Sequence, residues 1–419
     1  MGESDAGDRQ VYRVRARSWL AGNLDPREAP ARVHSIGYYT PDVMAANRAL
    51  QRKLFAGGFA GISWPAAYGG QGLPPAFESD FLEEAAAYVM PDFGVLTATT
   101  FHICVPTMLA HASPEFLQRF VPQVLAGEAL VCQFFSEPSS GSDLAGIRTR
   151  ATRDGEQWVL NGQKVWSTFA HLADFGMCLA RTDWEAPKHR GLTWFAVPCT
   201  ARGLTIRPIK QINETSEFCE EFFDDVVVPD GNVIGGVDDG WTVAQTMLVL
   251  ERGAGRPSDG TSPSRPGPLA PDLVRLAQET SRVDDPVVRQ KLARAHTIDY
   301  LGKVLASRIA EMGRYGQLGP GMAAYGKLFR GTYQPVRARI GMEIGGDTAI
   351  TWDVTDLHGV EASTAYLNGR AASIAGGTNE MQRNAIAERV LGLPREPSFD
   401  AKKPFSQVLR EANDWKGTS

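Results

Sequence analysis

The spacing of apolar residues divides the chain into three regions. Across residues 41–130 the apolar positions recur at intervals of three and four, as in Phe81, Ala85 and Tyr88, and short Gly/Pro breaks separate the runs. Such spacing places apolar side chains on one face of a helix. The sequence therefore predicts an N-terminal α-helical domain over residues 1–130.

The middle region consists of short runs rich in β-branched and aromatic residues. Asn161-Gly162 stands between two of these runs and predicts a hairpin turn, because both residues tolerate positive φ, and Asp154-Gly155 predicts a second turn just upstream. Further strands are predicted over residues 175–179, 192–197, 204–209 and 222–228. Together these runs predict a β domain over residues 131–238.

Helical spacing returns from Trp241 onward. A stretch rich in Gly, Pro and Ser, residues 253–272, predicts a loop between two helices. Beyond it, helices are predicted over residues 273–318 with a break near Pro286, over residues 322–344 and over residues 379–391. The C-terminal α-helical domain is therefore expected to span residues 239–419.

Composition and charge exclude several classes of protein. The 419 residues carry a formal net charge of -5, which indicates no basic surface for nucleic acid or an anionic membrane. No apolar run is long enough to span a bilayer, and residues 1–10 lack a signal-peptide pattern. Five scattered cysteines without a C-x-x-C pair are typical of reduced thiols in a cytoplasmic enzyme. No histidine cluster indicates a metal, and no G-x-G-x-x-G indicates a Rossmann site.

Two polar segments are candidates for ligand binding. Residues 133–143, Q-F-F-S-E-P-S-S-G-S-D, combine small and hydroxyl-bearing residues, whose N–H and O–H donors suit a carbonyl-rich ring edge or a phosphate. A polar turn that opens the β domain is the alternative interpretation. In N-G-Q-K-V-W-S-T, Trp166 and Thr168 are two residues apart and share one face of a strand. They would supply a flat apolar surface with a hydroxyl beside it, and a Trp in a β core is the alternative.

The order of these motifs resembles the signature of the acyl-CoA dehydrogenase family. F-S-E-P-x-x-G-S-D precedes N-G-Q-K-x-W-x-T, and three further similar segments begin at Trp64, Phe222 and Gly376. The resemblance implies an α+β fold with a helical N-terminal domain, a β-barrel-like middle domain and a C-terminal four-helix bundle. It implies FAD bound by Gln133, Phe134, Phe135, Ser136, Gly141, Ser142, Trp166, Thr168, Thr378 and Glu380. It also implies an acyl-CoA substrate near Ser142, Arg252, Gly376 and Gly377.

The chain departs from many family members at the position of the catalytic base. Gly376 aligns where those members carry Glu, so the chemistry needs a carboxylate elsewhere. Glu251 continues the apolar stripe of Val243 and Met247, a costly place for a carboxylate unless it is paired or neutral. A helix-end Glu paired with Arg252 is the alternative. Isovaleryl-type and long-chain-type members are similar in having Glu-Arg on this helix and no Glu in the loop.

The resemblance therefore implies that Glu251 is the base, with Glu361 and Glu380 as weaker rivals. Glu251 would remove the α-proton of the thioester while the β-hydrogen leaves as hydride to flavin N5, and a backbone N–H near Gly377 would bind the thioester carbonyl. Expected partners are an electron acceptor such as electron-transfer flavoprotein and further copies of the chain in a homodimer or homotetramer.

Two other departures keep different functions open. The family's R-x-x-F-G motif is not evident around residues 282–285, and Met342 stands where many members carry Gln before Gly345-Gly346. Both positions concern the adenine side of the cofactor. The alternatives are a flavin-dependent monooxygenase of the same fold and a non-catalytic partner subunit of a heteromeric dehydrogenase.

Overall fold

A computed structural model of the chain describes residues 3–27, 39–251, 270–317, 319, 321–351, 357–398 and 400–414. Helices at either end of the described chain enclose a mixed β-sheet in the middle. The α+β fold predicted from the sequence is therefore confirmed. Within the described ranges, no helix combines the length and apolar character needed to cross a membrane.

The N-terminal region is helical, as predicted. Its α-helices are α1 (Glu3–Asn23), α2 (Pro41–Ala56), α3 (Pro75–Ala85), α4 (Val95–Ala98), α5 (Val105–His111) and α6 (Pro114–Leu125). Ser113 caps the start of α6, because its side chain accepts a hydrogen bond from the Phe116 backbone N–H, and the helix buries Phe116 and Phe120 in the core. A π-helical segment, Thr99–Cys104, joins α4 to α5.

That π-helical segment is fastened to the middle sheet. The Thr100 hydroxyl accepts a hydrogen bond from the Val131 backbone N–H at 2.9 Å and donates one to the Val131 carbonyl at 3.2 Å. Both residues are fully buried. The segment therefore lies between the N-terminal helices and the sheet. π-helical turns of this kind often occur at functional sites.

The middle region forms a sheet of eight strands within the described residues. They are β1 (Val131–Phe134), β2 (Arg150–Asp154), β3 (Gln157–Thr168), β4 (Phe175–Arg181), β5 (Leu192–Pro198), β6 (Leu204–Ile209), β7 (Phe218–Pro229) and β8 (Val233–Ile234). The main path runs β6-β7-β3-β2-β4-β5-β8, and β1 pairs with β4 in parallel. Its core contains Phe134, Trp158, Phe195 and Phe223.

The predicted hairpin at Asn161-Gly162 is wrong. Both residues lie inside the long strand β3, which pairs with β7 along its whole length and shifts register between Leu160 and Gly162. The turn between β2 and β3 is the one predicted at Asp154-Gly155. Gly162 is needed for close approach, since a Cβ there would stand 2.7 Å from the Thr149 Cα.

The C-terminal region is helical again. Its helices are α7 (Gly240–Val249), α8 (Pro271–Glu279), α9 (Pro286–Arg314), α10 (Ala323–Gly345), α11 (Asp347–Ile350), α12 (Leu357–Asn368), α13 (Asn379–Arg389) and α14 (Phe405–Asp414). Helix α10 packs against α9, α12 and α13. The predicted break at Pro286 falls at the start of α9, where the Asp285 side chain caps the helix. The predicted loop over residues 253–272 lies outside the described residues up to position 269.

Candidate active site

Strand β1 presents two different faces. Gln133 and Phe135 are half-buried, whereas the Phe134 ring is fully buried and meets the Phe223 ring edge-on at a centroid distance of 5.7 Å. The Phe134 side chain therefore fills the core of the sheet, so the predicted cofactor contact of this residue would come from its backbone. Period-two alternation leaves Gln133 and Phe135 on the other face.

A buried ion pair fixes the loop that follows β1. The Lys164 Nζ lies 2.9 Å from a Glu137 carboxylate oxygen and donates to the Phe135 carbonyl at 3.0 Å. Glu137 also accepts hydrogen bonds from the backbone N–H groups of Arg148 at 2.6 Å and Thr149 at 2.8 Å. Burial alone would raise the pKa of Glu137, but the charge of Lys164 and these hydrogen bonds hold it below its ordinary value.

Sequence reasoning missed this pair, although a signal was present. Lys164 occupies an inward-facing position of β3, in register with the apolar Trp158 and Leu160, and its side chain is fully buried. A charged residue on the apolar face of a strand requires a buried partner of opposite charge. Glu137, within the polar segment already identified, is that partner.

Trp166 stands at a bulge in β3. Its φ is 69°, the register with β7 shifts between Val165 and Ser167, and the side chain is 59% exposed. The Val165 N–H donates to the Ser136 carbonyl at 2.9 Å, so the end of the β1 loop lies directly beside the bulge. We call the surface formed by Ser136, Trp166 and Thr168 the ring platform. The bulge turns the Trp166 side chain away from the core, and a large exposed aromatic face suits a stacked ligand.

Behind the ring platform, β7 carries a fully buried carboxyl group that the sequence analysis did not identify. The Ser167 hydroxyl donates to Glu221 Oε2 at 2.9 Å, while Glu221 Oε1 has no hydrogen-bond partner among the described residues. Burial raises the pKa of Glu221 to about 8. A carboxyl group with that pKa is mostly neutral at pH 7, which lowers the cost of its burial.

Glu251 and Gly376 face the same point in space. A Cβ built on Gly376 would stand 3.3 Å from Glu251 Oε1 and 3.5 Å from the Cε of Lys327. Gly376 also has a φ of +67°, which favours glycine. The structure thus brings Glu251 next to Gly376, the loop position at which many family members carry the glutamate.

Cys104, on the π-helical segment, is influenced by Glu251 and approaches the sheet. Burial raises the pKa of the Cys104 thiol, and the charge of Glu251 raises it further. The Cys104 sulfur lies 3.9 Å from the Cys132 carbonyl on β1. Helix α7, which precedes Glu251, is held by the N-terminal region, because the His111 Nε2 lies 2.7 Å from the Thr246 hydroxyl.

The rival carboxylates lie on the surface. Glu361 is exposed, and Glu380 is exposed and pairs with Arg383 at 3.2 Å. The free backbone N–H at the start of α13 and the Thr378 hydroxyl lower the pKa of Glu380. Thr378 is the N-cap of α13 and accepts a hydrogen bond from the Met381 N–H. Arg252, predicted at the substrate, lies outside the described residues.

The glycine loop, which contains Gly376 and Gly377 just before α13, is held by buried polar side chains. Gln382, only 1% exposed, donates to the carbonyls of Gly376 at 3.2 Å and Gly377 at 3.0 Å. Its own Oε1 and the Oδ1 of Asn379 have no hydrogen-bond partner among the described residues. Because Gln382 accounts for both carbonyls, the backbone of this loop has a defined orientation.

Gly141 and Ser142 lie at the exposed tip of the loop after β1. The neighbouring Asp143 carboxylate lies 3.2 Å from Lys188 Nζ, and Lys188 also pairs with Asp400 at 2.7 Å. A Cβ on Gly141 would meet nothing within 4 Å. The tip is therefore open enough for a ligand to approach its backbone.

The residues present fit a flavin. The Gln133 Nε2 is buried and has no acceptor within the described part of the chain. Gln133 lies on the half-buried face of β1. An amide donor of this kind suits a ring carbonyl, and the exposed Trp166 on β3 offers a stacking surface. Among the described side chains, no group of three His, Cys, Asp or Glu could hold a metal ion.

Known proteins have the same arrangement of domains. The acyl-CoA dehydrogenase N-terminal domain matches residues 8–128, the middle domain matches residues 132–226 and the C-terminal domain matches residues 238–391. Acyl-CoA dehydrogenase IpdE1 of Mycobacterium tuberculosis is 38% identical over 400 residues, which cover 93% of this chain and 99% of that protein. FadE34 of the same organism is 40% identical over 336 residues, 79% of this chain and 44% of that protein.

Solved structures agree with these matches. The Tcur3481-Tcur3483 steroid ACAD superposes with a TM-score of 0.69 at 25% identity, covering 93% of this chain and 98% of that one. The ChsE4-ChsE5 complex from Mycobacterium tuberculosis gives a TM-score of 0.69 at 28% identity, with coverage of 94% and 100%.

The fold and the site define a class of enzyme, a three-domain dehydrogenase with a mixed sheet between two helical regions. The chain belongs to the acyl-CoA dehydrogenase family, whose members are flavin-dependent oxidoreductases of lipid metabolism that act on CH–CH bonds.

Proposed function

We propose that the chain binds FAD and desaturates an acyl-CoA thioester between its α- and β-carbons, with Glu251 as the base. The observation that carries this proposal is the meeting of Glu251 and Gly376. The glycine leaves open the space in which a loop carboxylate would stand, and the Glu251 oxygen lies 3.3 Å from its Cβ position. A carboxylate is therefore available at the glycine loop although the loop itself carries none.

The base acts on a weakly acidic C–H bond. Glu251 accepts the α-proton, and the backbone N–H of Gly377 donates to the thioester carbonyl as negative charge develops on its oxygen. A preorganised donor of this kind contributes about 3 kcal/mol. When bound, FAD supplies the acceptor for the β-hydrogen, which leaves as hydride. Reacting atoms need to approach to about 3–3.5 Å, so the acyl chain lies between Glu251 and the cofactor.

In this proposal the cofactor would be held by β1, the loop after it and β3. Gln133 would supply a donor for a ring carbonyl and Trp166 a stacking surface, while Phe134, Phe135, Ser136 and Thr168 would complete the contact. Gly141 and Ser142 approach the phosphates and the substrate's pantetheine arm, Thr378 and Glu380 add cofactor contacts from the start of α13, and Arg252 assists at the substrate. The unpartnered Gln133 Nε2 and the exposed Trp166 ring support this assignment.

We infer a bulky lipid-derived acyl group, with a steroid-derived thioester as the first candidate. The support is the likeness to the Tcur3481-Tcur3483 steroid ACAD, at 25% identity over 93% of this chain. We also propose a cytoplasmic location, an electron acceptor such as electron-transfer flavoprotein, and a homodimer or homotetramer. The domain boundaries proposed from the sequence are 130/131 and 238/239.

A heteromeric assembly is the second candidate, and one observation favours it. The similar ChsE4-ChsE5 structure is described as a complex of two components. In that case this chain would contribute one surface of a flavin site shared with a different subunit. Purifying the chain alone decides between the two states, because a yellow and active preparation requires no second component.

The Glu251→Gln variant tests the base directly. We expect retained flavin and fold, with desaturation reduced by several orders of magnitude, because the amide cannot accept a proton. Anaerobic bleaching of the flavin absorbance by a panel of acyl-CoA thioesters, including steroid-derived ones, measures the reaction and identifies the substrate. Glu361→Gln is the matched control, since it removes an exposed rival carboxylate and should leave bleaching unchanged. Near-normal turnover of Glu251→Gln would reassign the base.

A further inference from the structure

A buried lysine stands at the proposed proton-transfer site. Lys327, on α10, is only 5% exposed, and lysine side chains are seldom buried so completely without a specific role. Its Nζ donates to the Ala372 carbonyl at 2.6 Å. Its Cε lies 3.5 Å from the Gly376 Cβ position, to which Glu251 Oε1 is equally close at 3.3 Å. The mechanism described above assigns this ammonium no task.

Lys327 belongs to the contact between α10 and the glycine loop. One helical turn further along α10, the Gly331 carbonyl accepts a hydrogen bond from the Ser373 hydroxyl at 2.7 Å. A Cβ on Gly331 would stand 2.9 Å from the Ala372 carbonyl oxygen, so helix and loop are in close contact. Lys327 and Ser373 therefore fasten the start of the loop to α10, while Gln382 holds its end from α13.

The charges around the Glu251 carboxylate come from different elements. On the π-helical segment, burial and the charge of Glu251 raise the pKa of the Cys104 thiol, so Cys104 is uncharged at neutral pH. The Lys327 side chain approaches from α10 and brings a positive charge. Both side chains approach the Gly376 Cβ position, and a nearby cation favours the ionised form of a carboxylate. Glu251 needs that form in order to accept a proton.

We propose that Lys327 is a positioning residue for the proton-transfer step, which ties the glycine loop to α10 and keeps Glu251 ionised. This inference rests on the proposed function of Glu251 as the base. The two tasks are separable because one depends on a hydrogen-bond donor and the other on charge. Glutamine at this position retains a donor without a charge, methionine retains neither, and arginine retains both.

The test measures the pH profile of kcat/KM for the holoenzyme and its variants, with an acyl-CoA that the wild type desaturates. In Lys327→Met and Lys327→Gln we expect the acid limb to move to higher pH by about one unit or more, since the charge that favours ionised Glu251 is gone. Near the wild-type acid limb, kcat/KM should fall about tenfold for each unit of that displacement. Lys327→Arg should restore the limb toward its original position.

The effect of Lys327 on the position of the glycine loop is measured separately, through KM and flavin content. Lys327→Met should raise KM more than Lys327→Gln, because only the amide can still donate to Ala372. Arg330→Met is the matched control, since it removes an exposed cation from the same helix and should change neither quantity. If Lys327→Met fails to fold or to retain flavin, the pH profile of Lys327→Gln alone tests whether the Lys327 charge keeps Glu251 ionised.

An acid limb that stays in place in Lys327→Gln, whatever its activity, would overturn the proposal and leave Lys327 with a purely structural task. That result differs from a failure of the base assignment. The base assignment fails when the wild type desaturates no acyl-CoA or when Glu251→Gln remains active.

Discussion

The Glu221→Gln substitution probes the carboxyl group buried behind the ring platform. In the wild type, burial raises the pKa of Glu221 from its ordinary value of 4.5 to about 8, and the Ser167 hydroxyl bonds to its Oε2. Glutamine has nearly the same shape and can still accept that bond through its amide oxygen. The substitution therefore removes the titration with little change in packing.

The sign and size of the effect follow from proton linkage. Between pH 4.5 and pH 8 the folded chain holds a proton on Glu221 that the unfolded chain has released. The stabilisation by this proton is complete below the unfolded pKa and is lost as the pH rises through the folded pKa. Each pH unit inside the window is worth about 1.4 kcal/mol, so the wild type should lose about 2.5 kcal/mol between pH 6 and pH 9 through this group.

Urea unfolding, followed by far-ultraviolet circular dichroism at pH 6, 7.5 and 9, measures that loss. We expect the free energy of unfolding of Glu221→Gln, relative to wild type, to rise by about 2.5 kcal/mol from pH 6 to pH 9. Asp224→Asn, which removes an exposed carboxylate from the same strand, is the control and should follow the wild type at every pH. A difference between Glu221→Gln and wild type that stays constant with pH would refute the reasoning, because the buried group would then not titrate in this range.

Two further substitutions test the buried ion pair and the position of the base. Lys164→Met leaves the Glu137 carboxylate buried without its cation and should lower the free energy of unfolding by about 3–5 kcal/mol, measured by chemical unfolding. Adding Glu137→Leu should recover part of that loss. Equal stability of the single and double variants would contradict this reasoning. Gly376→Glu alone should abolish desaturation by crowding Glu251, and combining it with Glu251→Gly should restore measurable flavin bleaching. A double variant as inactive as Gly376→Glu would show that the loop carboxylate does not reach the substrate.

The helices and most strands were predictable because their signals are local. The helix predicted over residues 322–344 corresponds to α10 (Ala323–Gly345), and the turn at Asp154-Gly155 is present. The hairpin at Asn161-Gly162 failed because tertiary pairing overrode a turn signal. Strand β7 runs the full length of β3 and absorbs the glycine at a register shift. A dipeptide pattern contains no information about a partner strand sixty residues further along the chain.

The chemistry-bearing pairs were harder to predict, because each joins distant positions. Lys164 and Glu137 are individually conspicuous, yet only the folded sheet shows that they form a buried pair. The predicted cofactor contacts along β1 depend on the same kind of information. A motif records which residues are adjacent in the chain, whereas strand alternation decides which of them face a ligand and which fill the core.

The proposed base illustrates a position defined in space rather than in the chain. With 3.3 Å between Glu251 Oε1 and the Gly376 Cβ position, two carboxylates would compete for the same volume and repel each other. A glutamate introduced at position 376 would therefore need a smaller residue at position 251. Lys327 contacts the same volume from α10, so its charge would act on a carboxylate supplied from either position. What the fold fixes is thus the environment of the carboxylate, and the helix and the loop are two routes by which the chain can supply it.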